Sequence, residues 1–350
     1  MIIVLFLVLE GGFRLYLLVS GNPGTKPLEY EEVINEAWYT PHPHLVYTLK
    51  PSSKINRITA NEHIEISINK FGYRSTLEYD VKSVEKPENT LRIAVFGAST
   101  VMGVNRDDEV WPYLIGKYMD KMLPETKIEV INEGNMGYTS LDNMIDLSLR
   151  VIDFDSDIYI LYVGFNDYLA KAPDGLYTTD HLHFRVPLSK TRSFSLIEAM
   201  PDVLLKSKVI SHLLSSENIE DRMSLLDHTG TSLFRKKYKI EDDKEFSDAV
   251  DVVKGVAARN VESMIGIIRE HNPNARILLS SLYKLGGSHW IMSLNKAMAG
   301  VSKKSGVEFV DVATLVPHER RLVYGRHHFT PEGEKRVARV FADVIARGKK

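Results

Sequence analysis

Cysteine is absent from all 350 residues, which excludes disulfides, thiolate nucleophiles and thiolate metal sites while leaving the compartment undecided. An excess of either charge is also missing, since 44 Lys and Arg against 46 Asp and Glu leave a net charge of −2. No basic stripe stands out, so the electrostatic footprint of a nucleic-acid binder is lacking and no nucleic-acid partner is expected. Internal repeats and low-complexity tracts do not occur. A bare His-x-His stands at His42 and His44 and again at His181 and His183. Neither pair brings a third ligand, so no metal and no cofactor are expected. What remains is a chain long enough to bury a sizeable core, with the ordinary apolar and charged fractions of an enzyme-sized globular protein.

The most informative stretch is Leu91-Arg92-Ile93-Ala94-Val95-Phe96-Gly97-Ala98-Ser99-Thr100, an apolar run that delivers a serine to a strand end just after a glycine. Three further polar blocks come after it, each beyond an apolar run. Ile131-Asn132-Glu133-Gly134-Asn135-Met136-Gly137-Tyr138 follows the strand-like Lys127 to Ile131, Gly164-Phe165-Asn166-Asp167 caps the strand-like Asp157 to Val163, and His328-Phe329-Thr330-Pro331-Glu332-Gly333 lies beyond the strand-like Val307 to Val310. In an open parallel sheet ligands sit outside the carboxyl ends of the strands, so four such blocks converge there. Ser99 is the candidate nucleophile. Each block has a bland rival: a helix cap for Ser99, a left-handed turn for Gly137, an Asx-type turn for Asn166 and a packed ring for His328. Alone, each rival wins; four blocks in register favour the catalytic reading.

In order and context these blocks resemble the SGNH/GDSL hydrolase family, over about residues 91 to 350. The resemblance implies a flavodoxin-like three-layer αβα sandwich around a parallel sheet of about five strands. It assigns the nucleophile to Ser99, oxyanion donors to Gly137 and Asn166, and the general base to His328. The family's Gly-Asp-Ser reads Gly97-Ala98-Ser99 here, and the acid usually found three residues before the catalytic histidine is replaced by Gly325. That acid normally holds the imidazole in its working tautomer. A backbone carbonyl, Asp311 or Glu319 is the expected substitute. Asp167 is expected to support its loop rather than react.

The remaining chain divides into residues 1–20, 21–90 and 91–350, the last with an insertion at about 168–247. Met1 to Leu9 is uninterrupted hydrocarbon and Phe13 to Val19 is mostly apolar, with Glu10 and Arg14 between them at ion-pair spacing. The stretch to Ser20 is about long enough to span a bilayer, and a signal anchor is the preferred reading over a cleaved signal peptide or an interfacial helix. The lack of a basic n-region weakens the cleavage reading. Pro41-His42-Pro43-His44 is too proline-rich for a helix, while Ile64, Ile66 and Ile68 alternate as in a strand packed on the main domain. The insertion, which carries Arg235-Lys236-Lys237, is expected to shape the substrate cleft. Beyond it, helix signals over Phe246 to His271, Ile291 to Ser305 and Pro331 to Ala346 alternate with strand signals over Ile277 to Ser281 and Val307 to Asp311, the pattern of a helix-flanked parallel sheet.

The expectation is therefore a serine esterase that removes acyl groups, acetyl above all, from a polysaccharide or glycoconjugate. The resemblance further implies a membrane-anchored protein with its catalytic domain outside the cytoplasm. One alternative keeps Ser99 and His328 but passes the acyl group to a sugar hydroxyl, as an O-acyltransferase. Another, motivated by Gly325, is a non-catalytic glycan-binding or assembly protein on a silenced scaffold.

Overall fold

A computed structural model describes residues 2–20, 39–40, 42, 44–45, 47–58, 63–167, 207, 209 and 243–348. Most of the insertion, with His181, His183 and Arg235-Lys236-Lys237, lies outside the described residues.

The chain opens with helix α1 (Ile2–Ser20), in which Arg14 Nε meets Glu10 Oε1 at 2.7 Å. Among the described residues no helix is long and apolar enough to cross a membrane. Four short strands come next, β1 (Tyr39–Thr40), β2 (Thr48–Leu49), β3 (Lys54–Ile58) and β4 (His63–Ser67), paired antiparallel as β1 with β2 and β3 with β4. The alternation along β4 and into the residue after it works as a half-buried strand should, with Ile64, Ile66 and Ile68 all buried.

The main sheet consists of β5 (Thr90–Gly97), β6 (Lys127–Asn132), β7 (Ile158–Tyr162), β8 (Arg276–Ser280) and β9 (Glu308–Val310). All neighbours are parallel, in the order β6-β5-β7-β8-β9. Ile93 to Phe96 of β5 and Tyr159 to Tyr162 of β7 are buried without alternation, as strands covered on both faces must be. The connections carry helices α2 (Ser99–Met102), α3 (Trp111–Met122), α4 (Ser140–Asp146), α5 (Asp243–His271) and α6 (His289–Ser305), and after β9 come α7 (Val312–Leu315) and, last in the chain, α8 (Pro331–Arg347). α3 packs on α8, where the Trp111 and Phe341 rings stack at 5.0 Å. α5 packs on α4 and α6 in the opposite layer. The three-layer sandwich with a five-stranded parallel sheet is the expected fold. Helix α6 starts at His289, two residues before its periodicity shows, because Ser288 caps it by accepting from Ile291 N at 3.4 Å.

From β5 the chain first builds β6 on one side and then returns to place β7 on the other. The strand order thus reverses at β5, and the crevice of such a reversal is where ligands bind. The segment before the sheet closes its edge: Arg74 bridges to Asn132 and Asp80 to Val130 of the edge strand β6. Tyr73, Tyr79 and Val81 join the same core as the sheet.

Candidate active site

Ser99 is the first residue of α2, two residues past the end of β5. The capping position belongs to Ala98, which offers no side-chain bond, so the capping rival for Ser99 fails. Its hydroxyl instead lies 3.0 Å from His328 Nε2. This joins residues 229 positions apart at the distance a general base needs to take a hydroxyl proton.

The backbone around the nucleophile is held from several directions. Asn143 on α4 donates to Gly97 O at 3.0 Å, while Gly97 N donates to Glu133 Oε2 at 3.4 Å. Burial, followed by the neighbouring Asp146 charge, pushes the Glu133 carboxyl well above the usual range. On the far side of α2, the fully buried Arg74 donates to Met102 O at 2.6 Å, Gly103 O at 3.0 Å and Asn105 O at 2.6 Å, and its ion pair with Asp107 closes at 3.0 Å. The loop after β6 runs hard against α2, since a Cβ at Gly134 would lie 2.1 Å from Met102 N.

Gly137 in that loop has φ +73°, so the left-handed turn exists, and it shapes the loop that carries the candidate donor. Asn166 reaches out of its own loop, where Nδ2 donates to Tyr138 O at 3.0 Å. A primary amide has two N–H groups, and one of them fixes the side chain to the Gly137-Tyr138 loop. The Tyr138 hydroxyl in turn donates to Tyr47 O, which anchors the loop to the segment before the sheet.

Asp167 is structural, as expected. Its carboxylate accepts from Ser140 N at 2.9 Å and Ser140 Oγ at 2.5 Å, and Asn260 on α5 donates to the same hydroxyl at 2.9 Å. Burial pushes the Asp167 carboxyl up to about 7.

His328 sits on β11 (His328–Phe329), paired antiparallel with β10 (Val323–Tyr324). Gly325 opens the turn between them at φ +60°, a region that favours glycine. The position at which the family carries its triad acid is thus the turn of a tight hairpin. Neither carboxylate expected to replace that acid is directed there by its bonds: Asp311 accepts from Ser281 Oγ and Thr314 Oγ1, each at 2.7 Å, and Glu319 pairs with Arg321 at 2.6 Å. The His328 ring packs instead against His327, 4.2 Å away, and His327 stacks on Phe165 at 4.5 Å. The packed histidine is therefore His327. Burial, then the charges of His328 and Lys284, lower it to about 3, so it stays neutral. The hairpin is fastened by Asn105, which donates to Phe329 O and to Glu334 Oε1, both at 2.9 Å; Glu334 also accepts from Trp111 N at 2.9 Å.

Sequence reasoning did not find Arg74, Asn143, Tyr47, Asn105 or Glu334. Only for Glu334 was there a signal, a carboxylate in the first turn of an amphipathic helix, and that normally marks a solvated helix start.

Beyond the site itself, the sequence matches the family of GDSL-like lipases and acylhydrolases over residues 95–336. No curated relative matches. Solved structures that resemble the chain include a GDSL-like lipase of Bacteroides thetaiotaomicron, at 13% identity with 76% of this chain and 93% of that one covered and a TM-score of 0.43. A lipase/acylhydrolase of Enterococcus faecalis is 15% identical, with 73% and 95% covered and a TM-score of 0.42. The acetyl xylan esterase AlAXEase is 14% identical, with 73% and 100% covered and a TM-score of 0.44.

Proposed function

The chain belongs to the GDSL-like lipase and acylhydrolase family, and from that premise we propose that it cleaves carboxylic esters with Ser99 as nucleophile and His328 as general base. The observation that carries this reading is the 3.0 Å contact of Ser99 Oγ with His328 Nε2. Ser99 Oγ attacks the ester carbonyl as its proton passes to Nε2, and the new oxyanion is held by the Ser99 and Gly137 N–H groups and the Asn166 amide. Collapse expels the alkoxide, which takes the proton from His328. Water, activated by the same imidazole, then releases the acid and frees Ser99. Packing on the His327 ring helps to orient this imidazole.

The substrate within this reading is an O-acyl, chiefly O-acetyl, group on a polysaccharide or glycoconjugate. The catalytic domain works outside the cytoplasm, with α1 as its anchor. Membrane fractionation of the full chain beside residues 21–350 tests the anchor, which fails if both partition alike.

The test of the chemistry is covalent labelling of the full chain by a fluorophosphonate beside its Ser99→Ala variant. Labelling confined to the wild type supports an activated Ser99, and release of free acid from an acetylated glycan in the presence of a sugar acceptor then separates hydrolysis from acyl transfer. A folded wild type that takes up no label refutes the catalytic reading in favour of a silenced scaffold.

A further inference from the structure

Beside the catalytic hairpin stand two cations that the chemistry above leaves unused. Leu285 N donates to Arg326 O at 2.7 Å, and Arg326 Nε donates back to Leu285 O at 3.3 Å. This pairing lays the loop after β8 alongside the turn between β10 and β11, so Lys284 and His327 become neighbours. The Arg326 guanidinium lies over Gly286, where a Cβ would meet Nη2 at 3.0 Å. His327 in turn touches the His328 ring at 4.2 Å, and His328 reaches Ser99 at 3.0 Å. The chain of contacts from the two cations to the nucleophile's base is therefore one ring deep.

Among the described residues no carboxylate pairs with Lys284 or Arg326. The acids nearby are committed elsewhere, Glu319 and Glu332 to Arg321 and Asp311 to Ser281 and Thr314. A third cation, Arg320, donates to Gly325 O of the same turn. Lys284 is partly buried, and burial together with the charge of Arg326 lowers its ammonium below the usual lysine range. Folding thus holds a partly desolvated lysine against a like charge, with no counter-ion among the described residues, a cost a purely structural surface avoids by placing an acid there. Local violations of this kind mark sites built for a ligand. His327 beside them is kept neutral and adds no charge of its own.

We propose that Lys284 and Arg326 form an anion subsite that takes a carboxylate or phosphate carried by the ester substrate close to its scissile bond. Arg326 supplies a planar fork suited to either oxyanion, and Lys284 a point charge on a flexible stem. The substrate class narrows accordingly to O-acylated acidic glycans, those bearing uronate or sugar-phosphate groups. This inference rests on the esterase reading given above.

The experiment compares kcat/KM of the full chain on acetylated oligogalacturonate, an acetylated sugar phosphate and neutral acetylated xylo-oligosaccharide, for wild type, Lys284→Gln and Arg326→Gln. Each substitution is expected to lower the ratio of acidic to neutral kcat/KM by about ten-fold or more, since a site built to bind a polar group discriminates strongly against partners lacking it. In the wild type, raising salt from roughly 50 to roughly 500 mM shortens the Debye length to about a third and is expected to raise KM for the acidic esters more than for the neutral one. A preference for the carboxylate or for the phosphate ester identifies the anion. A wild type that cleaves all three alike, or variants whose ratio is unmoved, overturns the subsite. Fluorophosphonate labelling of Ser99 is run on the same samples: labelling with no anion preference refutes the subsite alone, whereas absence of labelling refutes the esterase reading beneath it. Arg326→Lys, which keeps the charge and loses the fork, restores part of the ratio if the subsite is real and none if Arg326 only braces the loop.

Discussion

Replacing Asn166 by alanine separates the role its amide shows in the loop from the one proposed for it in catalysis. One N–H holds Tyr138 O at 3.0 Å in a buried setting, and the other is assigned to the oxyanion. Loss of the first leaves a buried carbonyl without its donor, a cost of about 1–3 kcal/mol in stability. Loss of the second removes one of three oxyanion donors, worth on the order of 10²–10³ in kcat, or about 2.7–4 kcal/mol of transition-state stabilisation. The ground-state carbonyl carries little charge, so KM should move by less than about three-fold, the signature of an interaction made only in the transition state. The assay is steady-state hydrolysis of 4-nitrophenyl acetate, well below the melting temperature of the variant, with urea denaturation run in parallel. The stability loss and the rate loss are independent quantities in this scheme. A variant that is destabilised as expected but keeps kcat within roughly ten-fold would refute the donor role and leave Asn166 as a loop clamp.

Four further outcomes are expected from the same geometry. Burial raises the Asp167 carboxyl from 3.8 to about 7, so folding binds a proton that the unfolded chain releases near its ordinary carboxylate pKa of about 4. Its contribution is fully present below about pH 4 and is lost as the pH rises through about 7, by up to about 4 kcal/mol. Urea denaturation across that window should show a flatter pH dependence for Asp167→Asn than for wild type, and parallel curves would refute the assignment. Gly325→Asp should fold with a loss of about 1 kcal/mol for its left-handed backbone, because a Cβ there meets nothing within 4 Å. For the same reason the new carboxylate stays solvated, and kcat should remain within about three-fold of wild type; a larger gain would mean that the side chain reaches His328. Arg74→Met leaves Asp107 beside α2 without its buried partner, and the denaturation midpoint should report a loss of about 3–5 kcal/mol. Finally, if stacking orients His328, His327→Phe should retain activity while His327→Ala loses about ten-fold in kcat at unchanged KM; equal losses in both would show that a ring is not what matters.

Much of the architecture was legible because the physics behind it is local in sequence. A strand covered on both faces is apolar along the covered stretch, as Ile93 to Phe96 of β5 and Ile158 to Tyr162 of β7 are, so the strand ends could be located and with them Ser99 and Asn166. The histidine block was legible through its C-terminal neighbour, since Thr330-Pro331 begins an amphipathic helix and fixes where the hairpin must stop. The helix of the N-terminal segment was also legible, with Glu10 and Arg14 paired at 2.7 Å.

The illegible part consists of polar groups whose partners lie far along the chain. Arg74 carries no periodic or motif signal, yet it holds the carbonyls at the end of the nucleophile helix from 28 and 29 residues away. Tyr47 supports the Gly137 loop across 91 residues, and Glu334 reaches Asn105 across 229. Such contacts cost loop closure that only the folded sheet repays, and one sequence offers no trace of them. The missing triad acid shows the same division. Its absence from position 325 could be read directly, but its consequence could not, because what packs on the His328 ring is a neighbouring imidazole that carries no motif. The hairpin pairs His328 with Tyr324, His327 stacks between the His328 ring and Phe165, and Phe165 precedes Asn166 in the same block. The proposed base and the proposed oxyanion donor therefore border one packed unit, so a change at Phe165 should disturb both together, whereas a conventional acid would orient the imidazole alone.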